Sequence, residues 1–239
     1  MNGYYSYIHT EDTYLDSIEH ATYKGIVIKT VILLAITIAV GILTAFFLPQ
    51  WINSDSHGFL GVLIGATIAG FVSVMIGRLS DRMAMICGFI YSICEGLVLG
   101  ALTAIIDLAY PGTGTLAVTG TVIVFTVMLI LYAFGFIRNG SMVRMIAFGI
   151  IASVLALVIF DGIFVLFTGG ADFGISFVIQ ALLLSYGVIT LTFNFAEAEA
   201  VVKMGASKDA EWSVALGMEV SLVYIYIYIL KITLYLFRR

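Results

Sequence analysis

Seven apolar stretches fill this chain from about Ile26 to the C-terminus, most of them long enough to cross a bilayer, and a few carboxylates lie inside them. A hydrocarbon core of about 30 Å takes about 20 apolar residues per helix. The predicted fold class is therefore all-α: a polytopic membrane protein built as a bundle of seven transmembrane helices. An ionisable side chain at that depth is costly, so the buried carboxylates are where function is to be sought. Composition agrees, with 62% of the 239 residues hydrophobic and 11% charged, against about 25% charged in soluble domains. No basic run suggests nucleic acid as a partner.

The spans are predicted at Ile26–Leu48, Gly58–Gly77, Met83–Leu108, Leu116–Ile137, Val143–Thr168, Phe173–Val202 and Glu211–Phe237. Pro49, Tyr110-Pro111-Gly112, Asn139-Gly140 and Gly169-Gly170 supply breaks between them, as Pro, Gly and Asn do at helix ends. Residues 1–24 are polar and acidic and read as a cytoplasmic N-terminal tail, with no signal-peptide pattern. Residues 25–239 read as a single transmembrane domain, because the loops are too short for another. Gly61/Gly65/Ala69 and Gly96/Gly100 recur at four-residue spacing, which lets helices approach closely. Cys87 and Cys94 share a helical face, too far apart to bond to each other within one helix.

Eight of the eleven Lys and Arg fall at alternate span ends: Lys24 and Lys29, Arg78 and Arg82, Arg138 and Arg144, Lys203 and Lys208. The intervening loops around Asp55, Asp107 and Asp172 carry none. The positive-inside rule then places the N-terminus in the cytoplasm. Lys231, Arg238 and Arg239 are the exception. Either they snorkel at the outer interface or the last span is re-entrant; seven full crossings is the preferred reading.

The acidic candidates are Glu95 in the third span, Asp161 in the fifth, Glu197 and Glu199 near the cytoplasmic end of the sixth, and Glu219 in the seventh. Arg78 stands at the cytoplasmic end of the second span, and Asp107 near the outer end of the third. Burial raises a carboxylate pKa and a neighbouring arginine lowers it, so a carboxylate under both influences can titrate near neutral pH. Hard cations such as calcium take oxygen ligands of this kind. Asp107 reads as an interfacial group; Asp161 is either paired to a neighbour by a hydrogen bond, at the end of the deep part of its helix, or a functional intramembrane acid. Residues two apart on a helix point about 200° apart, so Glu197 and Glu199 do not face one pore together, nor do Glu219 and Ser221. Tyr224 and Tyr228 share a face, opposite Tyr226, and read as packing groups. No Gly-x-Ser-x-Gly, His-Glu-x-x-His or Gly-x-Gly-Asp motif is present, so an enzyme is not expected.

The order and spacing of Thr22-Tyr23-Lys24-Gly25, Cys94-Glu95-Gly96-Leu97-Val98-Leu99-Gly100-Ala101, Tyr110-Pro111-Gly112, Lys203-Met204-Gly205-Ala206 and Glu211-Trp212 resemble the transmembrane Bax inhibitor motif family, in its bacterial Bax inhibitor-like branch. The resemblance covers nearly the whole chain. It implies six helices around a central seventh, and a pH-sensitive calcium leak closed by a latch. In that latch two carboxylates, on the sixth and seventh helices, share a proton and engage an arginine at the end of the second. Arg78 matches the arginine and Glu197 the sixth-helix carboxylate. The seventh-helix carboxylate falls on Ser221, a departure. Glu219 lies two residues away, so the latch is either rebuilt on Glu219 or reduced to Arg78 and Glu197. Glu199 matches a glutamate of closer bacterial relatives. The resemblance thus makes Glu197 and Glu219 the calcium path, with calcium and protons as the small partners and no resident cofactor. Other readings are a non-conducting scaffold for a membrane protease or stress factor, and a proton-coupled transporter. The bacterial character and the lack of a cleavable signal point to the plasma membrane.

Overall fold

The computed structural model describes residues 20–54, 56–133 and 173–237, and these form six helices. They are α1 (Tyr23–Ser54), α2 (Ser56–Leu79), α3 (Asp81–Ala109), α4 (Thr113–Ala133), α5 (Phe173–Lys203) and α6 (Ala210–Phe237). Among the described residues there is no strand, only an isolated antiparallel bridge between His20 and Ser207. Five of the helices, all but α4, are long and apolar enough to cross a membrane, and α4 contributes a shorter apolar helix, Thr113–Val127. The protein is a multi-pass membrane protein. A count of seven helices is not established: the predicted fifth span, with Asp161 in it, and the end of the fourth lie outside the described residues.

The surface is inverted relative to a soluble bundle. Phe46, Phe71, Ile42, Ile64 and Ile68 are all more than half exposed, which water would penalise and hydrocarbon does not. The interior is built around α6. In its most apolar stretch 67% of residues are buried, against 17–33% in the other four membrane-length helices. It packs against all five other described helices, and Val214, Met218, Leu222 and Ile225 join Ile26 of α1 and Leu191, Phe195 and Ala198 of α5 in the main apolar cluster.

The helix ends follow the local chemistry with one exception. The α1 helix does not stop at Pro49 but runs on to Ser54. A proline inside a helix removes one amide donor and crowds the carbonyl four residues back, and here that penalty falls in the last two turns, where a bend is tolerated. The glycine stripes also divide. A Cβ on Gly100 would run into the backbone of Gly41, and one on Gly96 into the Thr37 carbonyl, so α1 and α3 meet almost backbone to backbone. A Cβ on Gly61 or Gly65 would meet nothing within 4 Å, and both residues are exposed, so the first stripe is not a packing seam among the described residues. Cys87 and Cys94 are both free thiols.

Candidate functional site

The ion pairs of the described residues gather at one end of the bundle, here called the basic end. Arg78 ends α2, where the exposed helix carbonyls favour a cation. Its two Nη atoms donate to the two oxygens of Glu197 on α5, at 2.8 and 3.1 Å, a forked geometry that guanidinium and carboxylate share. Nη1 also donates to the Ser213 carbonyl in the first turn of α6, at 3.1 Å. One side chain thus ties three helices. Gly217, one turn further along α6, makes room for it: a Cβ there would lie 2.9 Å from Nη1 and 3.0 Å from the Asn194 side-chain oxygen. Both ion-pair partners keep about a third of their side-chain surface open, 34% for Arg78 and 36% for Glu197.

Ser221 and Glu219 part company. Ser221 accepts from the Asn194 amide at 2.6 Å, and the same amide donates to the Gly217 carbonyl at 2.8 Å. Ser221 therefore lies on the α5 side of α6, in line with Ser213 and Gly217, but it bonds Asn194 and not Arg78. Glu219 faces α1 and α3. It is completely buried, and its Oε1 lies 2.7 Å from the Thr37 hydroxyl and 2.7 Å from the Ser92 hydroxyl. The structure does not bring Glu219 to Arg78, so a latch rebuilt on Glu219 is not what this arrangement contains. Glu95 stands one turn along α3 from Ser92, partly buried. Glu199 pairs with Lys203 on its own helix, while Glu197 points away to Arg78. Asp107 accepts from the Thr113 hydroxyl and the Gly114 amide and so caps the start of α4.

A second cluster at the basic end involves a residue whose role sequence reasoning passed over, Glu211. Its carboxylate is 1% exposed. Oε1 accepts from the Thr22 amide at 2.7 Å and the Thr22 hydroxyl at 3.1 Å, and Oε2 pairs with Lys29 at 2.8 Å. The Lys29 ammonium also donates to the Lys208 carbonyl at 2.9 Å and lies 4.8 Å from the centre of the Trp212 ring. The Ala21 amide donates to the Ala206 carbonyl, and His20 Nδ1 is 2.9 Å from the Gly205 carbonyl oxygen. The start of α1 is thereby strapped to the loop before α6. The only advance signal was that Thr22–Gly25 and Glu211-Trp212 both belonged to the family-like segments; nothing in either pairs them.

In the half of the bundle away from the basic end, α1, α3, α4 and α6 line an open cavity of about 280 Å³ with an almost wholly apolar wall. Its few hydroxyls belong to Thr37, Thr103, Thr121 and Tyr226, and Tyr226 and Thr103 bond each other at 2.7 Å. Thr37 is shared between this cavity and Glu219. The rings of Tyr224 and Tyr228 meet on α6 at a tilt of 53°, with centres 4.5 Å apart.

Among the described residues the layout is thus a buried final helix, an arginine closing α2 onto α5 and α6, and the start of α1 strapped to the start of α6. A family model described as Bax inhibitor 1 like matches residues 5–238 of the chain. The chain belongs to the Bax inhibitor 1 like family. Searches of the curated proteins and of the solved structures return no match. In this family member the contacts above are the ones from which function has to be argued.

Proposed function

We propose that this Bax inhibitor 1 like protein is a pH-sensitive cation leak, not an enzyme, with calcium as the permeant ion and the Arg78–Glu197 pair as its latch. The observation that carries the reading is the triple attachment of Arg78: to Glu197 on α5, to the Ser213 carbonyl on α6, and through its own backbone to α2. The positive-inside rule puts this end in the cytoplasm of a plasma-membrane protein whose N-terminus is cytoplasmic.

The physical argument is one of magnitude. A gate moved by a proton has to rest on a contact weak enough for one proton to release. An ion pair with a third of its surface in solvent is worth about 1 kcal/mol or less, whereas a buried pair costs about 3–5 kcal/mol to break. Ionised Glu197 holds Arg78 and keeps α2, α5 and α6 together; protonated Glu197 loses the charge and half of the fork. The leak therefore rises as pH falls.

Calcium flux into proteoliposomes of the full chain tests this, compared across acidic and neutral pH with Glu197→Gln. The expected outcome is a flux that rises with acid in the wild type and is high and flat in Glu197→Gln. A wild-type flux equal to that of empty liposomes at every pH refutes the leak; a Glu197→Gln profile identical to wild type refutes the latch. The second reading, a non-conducting scaffold for a membrane protease or stress factor, is favoured by the strap that docks residues 20–22 on the loop before α6. It predicts that deleting residues 1–22 abolishes partner capture while leaving vesicle permeability at the empty-liposome level.

A further inference from the structure

The most deeply buried carboxyl group in the described bundle is not used by the latch. Glu219 is fully buried in the middle of α6, and its Oε2 has no hydrogen-bond partner. Among the described residues no Lys or Arg pairs with it. An isolated carboxylate at membrane depth carries a penalty of several kcal/mol, so the site must be completed by something.

The hydroxyls around Oε1 show what completes it. Each hydroxyl has one proton to give. Ser92 Oγ has a second acceptor 2.9 Å away, the Gly88 carbonyl; Thr37 Oγ1 has two at 3.3 Å, the carbonyls of Leu33 and Ser92. For an ionised Glu219, both hydroxyls turn from those carbonyls to Oε1, and Oε2 stays bare. For a neutral acid with its proton on Oε1, the carboxyl donates to Ser92 Oγ, Ser92 donates on to Gly88, and Thr37 bonds either a carbonyl or the acid. The neutral form leaves no charge unanswered. A divalent ion is poorly served, because among the described residues no group of three or more His, Cys, Asp or Glu gathers anywhere, and such ions take six or more oxygens.

We propose that Glu219 is a proton-binding site in the middle of the bundle, separate from the Arg78–Glu197 latch and seated between α1, α3 and α6. The chemistry is reversible addition of one proton to the carboxylate, with the Thr37 and Ser92 hydroxyls switching acceptors as it arrives or leaves. Thr37 also lines the 280 Å³ cavity, which brings the site to the edge of that space. The groups facing it are few. The α3 helix presents Tyr91 and Glu95; α1 presents no charge nearer than Lys29, two turns away and committed to Glu211. Arg78 of α2 and Glu197 of α5 are committed to each other, Glu199 and Lys203 of α5 likewise, and Tyr186 of α5 packs on Tyr224. Thr113–Val127 of α4 has no ionisable residue. Among the described residues Glu95, one turn along α3 from Ser92, is the carboxyl group nearest to the site in sequence that is not committed to a basic partner.

Infrared spectroscopy of the purified full chain in lipid tests this without reading flux, so it stands or falls apart from the leak. At neutral pH the wild type is expected to show the C=O stretch of a protonated, hydrogen-bonded carboxyl. That band is lost in Glu219→Gln and kept in Glu95→Gln and Glu197→Gln. If Glu219→Gln does not fold, Ser92→Ala and Thr37→Val serve instead: each removes a partner of Oε1 and shifts the band. The proposal is overturned by absence of the band in the wild type, by its survival in Glu219→Gln, by its loss in Glu95→Gln alone, by no shift in either hydroxyl variant, or by its disappearance when sodium replaces a bulky organic cation, which would make Glu219 a metal-ion ligand.

Discussion

Replacing Glu211 with alanine should release the start of α1 from the start of α6, and the size of the effect follows from what the carboxylate holds. Glu211 is buried and accepts from the Thr22 amide, the Thr22 hydroxyl and Lys29. Breaking a buried ion pair by removing one partner costs about 3–5 kcal/mol. The stranded Lys29 is 12% exposed and keeps the Lys208 carbonyl and the Trp212 ring, which places the loss near the bottom of that range, about 3 kcal/mol. Since each 1.4 kcal/mol is a factor of ten, the Thr22 and Ala21 amides should exchange with deuterium about a hundredfold faster than in the wild type. Hydrogen exchange read by mass spectrometry on the peptide spanning residues 20–23 measures this directly, and it senses local opening without global unfolding. Glu211→Gln keeps an acceptor for Thr22 and loses only the charge, so its exchange should rise about tenfold, at about 1.5 kcal/mol for a charge-assisted bond. Acceleration of less than about threefold in Glu211→Ala would mean that the strap bears no load and that the carboxylate is paired only incidentally.

Two further outcomes are expected. Gly100→Ala sets a methyl against the Gly41 backbone and should lower the thermal midpoint by about 2–4 °C for each of the roughly 1–3 kcal/mol that overpacking costs; Gly61→Ala, which meets nothing, should leave it unchanged, and equal effects would refute the backbone-to-backbone crossing. Ser221→Ala removes one of two acceptors of Asn194 and should cost about 1 kcal/mol in denaturant unfolding while leaving the pH profile of flux as in the wild type; a changed profile would return Ser221 to the latch.

Helix positions were legible because apolar runs and their Gly and Pro breaks carry them: Phe173–Val202 is met by Phe173–Lys203, and Glu211–Phe237 by Ala210–Phe237. Pro49 misled because proline position alone does not distinguish a helix stop from a proline inside the last turns. The Arg78–Glu197 pairing came from resemblance, with the observed fork supplying its geometry. The partners of Glu219 were not legible. Serine and threonine in apolar helices ordinarily bond a carbonyl of their own helix, as Thr30, Thr44 and Thr121 do here, so nothing in the local sequence set Thr37 and Ser92 apart. Glu211 was hidden for the opposite reason. A glutamate in the first turn of a helix is favoured there by the helix dipole alone, and its burial depends on a backbone amide 189 residues earlier in the chain.

The two ion pairs at the basic end differ in strength, and both reach the first turns of α6. The Glu211–Lys29 pair is buried, has further hydrogen bonds on both partners and binds the start of α6 to α1. The Arg78–Glu197 pair is a third exposed and binds α6 to α2 and α5 through one carbonyl. By the magnitudes above, the first costs about 3 kcal/mol to release and the second about 1 kcal/mol or less. Any disturbance at this end, by acid or by strain on the N-terminal segment, should therefore release Arg78 before Glu211, while α5 stays packed on α6 through Leu191, Phe195 and Ala198. Protection at the peptide around Ser213 and Gly217, after allowance for the slower intrinsic exchange in acid, should accordingly fall at a pH where the Thr22 amide is still protected. Simultaneous loss of protection at both places would show that the two pairs form one cooperative unit and would refute this order of opening.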